Sequence, residues 1–220
     1  MAITGLILIG FLLMHMYGNL KMFVGVDAFD YYAHWLKGDT AHLPEHDGGI
    51  MYPIMPAGTF IWVFRAVLLL AVILHMWSAI TLWSKSAKAA GSKYQKTTRK
   101  AATYSARTMR YGGVIIALFL IFHLIQFTIA PGSMGGQASE PHTMVVAAFQ
   151  QWWMVLFYAI CMAAVCMHVR HGFWSAFTTL GANTSPKART VLNVLAYIAA
   201  IALFVGFMIM PLAVLFGLIG

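Results

Sequence analysis

Five long apolar runs, separated by polar or charged connections, organise this chain; they cover roughly Ile3–Phe23, Ala57–Trp83, Gly112–Ala130, Val145–Val169 and Val191–Leu218. Each supplies the about 20 mostly apolar residues that a helix needs to cross a hydrocarbon core. None alternates apolar and polar residues as a barrel strand would. Lipid offers no partners to an open strand, so helix is the conformation expected. The first run is punctuated by His15, Asn19 and Lys21, which blurs its outer end. It lacks a basic leader and a small-residue cleavage site, so it reads as a retained helix. The expectation is an all-α integral membrane protein, residues 1–220 forming a single domain of five transmembrane helices.

Composition sharpens that picture. Hydrophobic residues make up 61% and charged residues 9% of the chain, against roughly 25% charged in soluble domains. The charges are also segregated. Lys85, Lys88, Lys93, Lys96, Arg99, Lys100, Arg107 and Arg110 lie between the second and third runs, and Lys187 and Arg189 between the fourth and fifth. Asp27, Asp30, Asp39, Glu45 and Asp47 lie after the first run, and Glu140 after the third. The stretch from Pro131 to Thr143 has no Lys or Arg. Basic connections stay in the cytoplasm, which puts the N-terminus inside, the C-terminus outside and the acidic loops on the outer face. The net charge of +8 is mostly this asymmetry and not a nucleic-acid footprint. The chain reads as a multi-pass protein of the cytoplasmic (inner) membrane.

Against that background His15, His75, His123 and His168 stand out, one in each of the first four runs. An ionisable ring in hydrocarbon is costly and points to function, although any one of them could instead bond a neighbouring carbonyl. Depth sorts them. At 1.5 Å per residue, His15 lies about 20 Å from the cytoplasmic start of its helix, and His123 about 20 Å beyond Arg110. His75 lies about 15 Å from Lys85, and His168 is two residues before Arg170. The outer pair is therefore His15 with His123, the inner pair His75 with His168. Each pair draws on two helices, as two b-type haems with both axial positions filled would require. That ligation suits electron transfer rather than oxygen binding. His171 lies at the membrane edge and is the weaker ligand candidate beside the deeper His168.

Other arrangements fit less well. A cytochrome b of the quinol–cytochrome c oxidoreductase type would carry two histidines on each of two helices, and no run here holds such a pair. Covalent c-type haem needs C-x-x-C-H; Cys161 and Cys166 lack that spacing and read as small core residues. His34, His42, His46 and His142 fall in polar loops and are expected to be solvated. A zinc site built from the loop histidines is left open, but no tight ligand spacing supports it.

A resemblance now becomes specific. Thr4-Gly5-Leu6 through His15-Met16-Tyr17-Gly18-Asn19-Leu20-Lys21, Arg65-Ala66-Val67-Leu68-Leu69 with His75, and Ala106-Arg107-Thr108-Met109-Arg110-Tyr111-Gly112-Gly113 leading to His123 form part of it. His168-Val169-Arg170-His171-Gly172-Phe173-Trp174-Ser175, followed by Thr179-Leu180-Gly181, completes it. Across most of residues 4–183 the chain resembles the five-helix, di-haem cytochrome b anchor of succinate:quinone oxidoreductases, which include the fumarate reductases. The resemblance implies iron ligation by His15, His75, His123 and His168, with His-x-x-x-Gly-x-Trp favouring His168 over His171. It implies partners too: an iron–sulfur subunit on the cytoplasmic side, bound to a flavoprotein that handles succinate. It further implies menaquinone as the acceptor, reached at the outer haem. The periplasmic acid expected near the quinone has no unambiguous counterpart here.

The chain has no Rossmann glycine fingerprint for a flavin and no cysteine cluster for iron–sulfur, so the dehydrogenase chemistry is left to those partners. Arg65, Arg107, Arg110, Arg170 and Trp174 are candidate haem-propionate contacts, Arg65 alternatively snorkelling to the interface. Glu45, His46 and Asp47 are candidate quinone-site groups, ahead of Asp27 and Asp30. Two other readings compete. One is a cytochrome b anchor for another quinone-linked dehydrogenase, such as hydrogenase or formate dehydrogenase. The other is a transporter whose histidines relay protons, but no Asp or Glu falls inside a predicted span.

Overall fold

A computed structural model describes residues 1–89 and 104–220, and the described residues are helical with no strand. Among the described residues seven α-helices follow one another: α1 (Ala2–Leu20), α2 (Val26–Lys37), α3 (Thr59–Ala89), α4 (Tyr104–Leu124), α5 (Pro141–Phe149), α6 (Trp152–Thr179) and α7 (Pro186–Leu215). A 3₁₀ turn, Lys21–Phe23, extends α1, and a π-helical turn, Ile125–Ile129, extends α4. Five helices are long and apolar enough to cross a membrane: α1, α3, α4, α6 and α7. The basic residues Lys93, Lys96, Arg99 and Lys100 lie outside the described residues.

α6 is the hub of the bundle, packing against α1, α4, α5 and α7. Its Met154, Val155, Tyr158, Met162, Val165 and Val169 recur three and four residues apart and are buried, the spacing of one helix face. α7 closes on it through Ala196, Ala200, Leu203 and Phe207. α3 packs on α1 but shows most of its length outward, with Leu69, Leu70, Ile73 and Trp77 more than half exposed. In water such a face would be untenable; against lipid tails it costs nothing.

The ends of the elements follow local chemistry. Ser185 caps α7, its Oγ accepting from the amide of Ala188 at 3.1 Å with Pro186 in the first turn, a strong start signal. Pro211 lies within the last turns of α7. α2 ends at Gly38 in the left-handed conformation (φ +65°), where a Cβ would meet the Gly58 amide nitrogen at 2.2 Å.

Two expectations need correction. The fourth apolar run is two helices: α5 ends at Phe149 and α6 begins at Trp152, so the span runs Trp152–Thr179 rather than 145–169. The adjacent amides Gln150 and Gln151, both exposed, mark the corner. The connection after α1 is also not simply a polar loop. It folds the amphipathic α2, which buries Phe29 and His34 and packs against α1, α3 and α5.

Candidate functional site: two histidine pairs and the outer loop cluster

His15 projects from α1 and His123 from α4, and their ring centroids stand 5.7 Å apart at an interplanar angle of 80°. His75 of α3 and His168 of α6 face each other with centroids 6.2 Å apart at 60°. These are the two pairings that the depth reckoning expects. His15 and His75 belong to neighbouring helices and are not paired; neither are His123 and His168.

Two helices measure the distance between the levels independently. On α1, Gly5 lies beside the inner pair, where a Cβ would sit 3.5 Å from His75 Cε1. On α4, Gly113 lies beside the same pair, where a Cβ would sit 3.9 Å from His168 Cε1. Gly5 precedes His15 by ten residues and Gly113 precedes His123 by ten, so each helix separates the levels by about 15 Å. The absence of a side chain at both glycines leaves the flank of the inner pair open.

The outer pair is walled by aromatic rings. Phe11 stacks on His15 at 5.3 Å and 14°, with Phe207 at 5.8 Å. Phe119, Phe127 and Tyr158 surround His123 at 5.9, 5.4 and 6.1 Å. A buried polar chain reaches His123 from behind. The Tyr158 hydroxyl donates to Gln126 Oε1 at 2.7 Å and lies 3.0 Å from His123 Nδ1. A phenol has one proton; donating it to Gln126 obliges the oxygen to accept from His123 Nδ1–H. That fixes the tautomer and leaves His123 Nε2 with a free lone pair. Gln126 gets there because the π-helical turn, with Ala130 N bonding Ile125 O at 2.9 Å, inserts a residue into the helical repeat.

At the inner pair, His75 Nδ1 meets Thr4 Oγ1 at 3.2 Å, and that hydroxyl donates to Met1 O at 3.0 Å. His168 Nδ1 is buried and has no hydrogen-bond partner among the described residues. An uncompensated buried ring nitrogen is costly unless something else engages it.

The candidate propionate contacts occupy varied positions. Arg65 is exposed and lies over the Trp62 ring at 4.9 Å. Arg110 lies over Trp83 at 5.1 Å, and Arg170 over Tyr197 at 4.2 Å with Asn193 Oδ1 at 3.4 Å. Trp174 is half-buried on α6. The Arg107 side chain lies outside the described residues. Of the candidate quinone-site groups, Glu45 and His46 are exposed, and Asp47 accepts from Tyr31 Oη at 2.8 Å and from the Gly49 amide at 2.9 Å. That bond to the Asp47 carboxylate holds the Tyr31 phenol above its ordinary pKa. Asp27 is exposed. Asp30 bonds the backbone amide of His142 at 2.9 Å and pairs with its Nδ1, tying α2 to α5.

The expectation that the loop histidines are solvated holds for the exposed His42 and His46 but is corrected for His34. His34 is buried, its side chain only 7% exposed, and both His34 and His42 direct Nδ1 at Asp39 Oδ2, at 3.1 and 3.0 Å. Their rings stack 4.4 Å apart at 16°. Burial pushes the Asp39 carboxyl up, but the hydrogen bonds from His42 and His34 prevail and hold it below its ordinary pKa. The sequence signal for this cluster is the αL glycine after α2. Gly38 reverses the chain, Asp39 N bonds His34 O at 3.0 Å, and the next turn closes with His42 N on Asp39 O at 3.1 Å, a helix-end motif that returns the chain over the last turn. Nearby, burial lowers the Lys37 ammonium below its ordinary pKa, with Asp39 opposing.

No known protein-family model, curated protein or solved structure matches this chain.

Proposed function

We propose that this chain is the di-haem cytochrome b anchor of a succinate:quinone oxidoreductase, binding two b haems between its spanning helices. The observation that carries the reading is the pair of histidine pairs, at 5.7 and 6.2 Å, on four helices fit to cross a membrane. An imidazole nitrogen ligates a metal at about 2.0–2.1 Å, and the ring centroid lies roughly 1 Å further back. Two imidazoles on opposite faces of one ion therefore have centroids roughly 6 Å apart. Both pairs meet that requirement, and the histidines meet one another across different helices, as a planar cofactor inserted between them needs.

When bound, a bis-histidine haem supplies one-electron storage without an open coordination position. The residues of this chain supply the rest. His15 and His123 hold the outer level, His75 and His168 the inner. Tyr158 and Gln126 orient His123. The aromatic wall of Phe11, Phe119, Phe127 and Phe207 keeps water from the outer pair, and Gly5 and Gly113 leave room beside the inner pair. Arg110, Arg170 and Trp174 are the candidate inner propionate contacts, with Arg107 beside them in sequence, and Arg65 the outer one. The resemblance in sequence extends the reading to partners: an iron–sulfur subunit and a flavoprotein docking on the basic cytoplasmic side, and a quinone, menaquinone by the same resemblance, at the outer level. Glu45, His46 and Asp47 remain the proposed quinone-side groups.

The purified complex tests this directly. Pyridine haemochrome analysis should give about two b haems per copy of this chain and no covalently attached haem. A preparation of folded protein without haem bands would overturn the reading and favour a histidine relay instead.

A further inference from the structure

The outer face carries a second constellation that shares no residue with the proposed haem ligands. His34 on the last turn of α2, Asp39 just beyond the αL glycine and His42 one turn later bring three donor atoms within 4.8 Å of one another. We propose that His34 Nδ1, Asp39 Oδ2 and His42 Nδ1 form a zinc site, three protein ligands holding one Zn²⁺ with the fourth position open to the outer aqueous side.

The donor atoms lie close enough together to share one ion. Zinc binds nitrogen and oxygen at about 2.0–2.2 Å, so two donors in one tetrahedral shell stand roughly 3.3–3.5 Å apart. The two nitrogen–oxygen separations here are 3.1 and 3.0 Å, a few tenths shorter. Both imidazoles converge on a single carboxylate oxygen, which a carboxylate with two oxygens does not require for hydrogen bonding alone. The three residues fall within nine positions of one another, so closing the chelate orders only a short loop. Exposure is graded: the side chains are 7%, 34% and 46% exposed for His34, Asp39 and His42. The inner ligand is thus positioned by packing, and the outer two admit an ion from water.

The donor set selects the metal class. Two imidazoles disfavour Ca²⁺ and Mg²⁺, which take oxygen ligands. Two histidines and one carboxylate with an open position match the zinc pattern of three protein ligands plus water. Binding moves the proton of each neutral imidazole from Nδ1 to Nε2 and leaves the net proton count unchanged. Two of the three ligands, His34 and His42, also line a cavity of about 320 Å³ together with Asp27, Asp30, Tyr31 and Glu140. An ion here would staple the loop after α2 to the end of that helix on the outer surface.

The test is zinc binding by the purified complex in detergent, stripped with a chelator, desalted and titrated with Zn²⁺ against a chromophoric competitor. One saturable Zn²⁺ per chain is expected, weakened at least tenfold in His42→Ala and in Asp39→Asn. His46→Ala, which removes an exposed histidine of the same loop, should bind like the parent. His42→Ala alters a half-exposed ring, so it keeps the test decisive if Asp39→Asn fails to fold. Absence of saturable binding, or binding by His42→Ala within tenfold of the parent, overturns the proposal. Haem bands are recorded throughout: their absence overturns the haem reading without touching the zinc result, and a parent complex with its haem bands but no saturable zinc binding overturns only this proposal.

Discussion

At the scale of single residues, the outer pair depends on one phenol. Tyr158 is buried, gives its proton to Gln126 Oε1 and thereby forces His123 to present Nδ1–H. Groups that orient a metal-ligating histidine through its other nitrogen are typically worth roughly 10- to 100-fold in metal affinity. Tyr158→Phe keeps the ring but removes the acceptor and leaves the buried Gln126 amide without its partner, a loss of about 1–3 kcal/mol. On the proposed reading, His123 then becomes a weaker electron donor to iron. Redox titration of the variant should show the outer midpoint raised while the inner one stays where it was. Equal shifts in both would mean that the phenol acts through general packing. The inner pair poses a different question, because His168 has a neighbour of the same type three residues on. His168 faces His75 at 6.2 Å, whereas His171 is half-buried one turn further along α6. His168→Ala should abolish the inner low-spin signal in electron paramagnetic resonance, and His171→Ala should leave both signals. The reverse result would move the ligand by one turn.

Among elements, helix register does most of the work. α1 and α4 each place a glycine at the inner level and a histidine ten residues later at the outer level, so both helices serve both levels at the same spacing. A bulky side chain at the inner glycine should therefore damage one level only. Gly113→Leu is expected to lose the inner low-spin signal while leaving the outer one, checked by optical and paramagnetic spectra of membranes. Loss of both signals together would indicate a collapse of α4 rather than a blocked flank. Much of this was legible in the sequence, because spans follow from run length and pairing follows from counting residues along straight helices. What counting missed are the places where backbone departs from a straight helix. The corner at Gln150–Gln151 splits an apolar run without any charge to announce it. The π-helical turn that carries Gln126 inward looks in sequence like ordinary helix. His34 is buried because α2 folds back on the bundle, and nothing in the polar composition around it reports that contact.

At the scale of the whole molecule, asymmetry across the membrane gives the proposal its energetic content. Every acidic residue falls in the two connections that also hold α2 and α5, while the basic residues concentrate from the last turns of α3 to the first turns of α4 and in the first turn of α7. The positive-inside rule assigns the latter to the cytoplasm, where the proposed iron–sulfur partner would dock. His168 lies toward that end of α6 and the His15/His123 pair lies about 15 Å beyond it. An electron delivered from inside and used at the outer level to reduce quinone, with protons drawn from outside, moves negative charge outward through part of the bilayer. A full crossing is worth roughly 2.3 kcal/mol per 100 mV, so an inside-negative potential assists succinate oxidation, and its loss removes that assistance. Succinate:quinone turnover by the complex in sealed, energised vesicles should therefore slow when an uncoupler collapses the potential, while succinate oxidation with a soluble dye acceptor at the dehydrogenase should not. Equal quinone turnover with and without potential would place quinone reduction near the cytoplasmic ends of α4 and α6, beside Arg110 and Trp174, and would remove Glu45, His46 and Asp47 from consideration as proton donors.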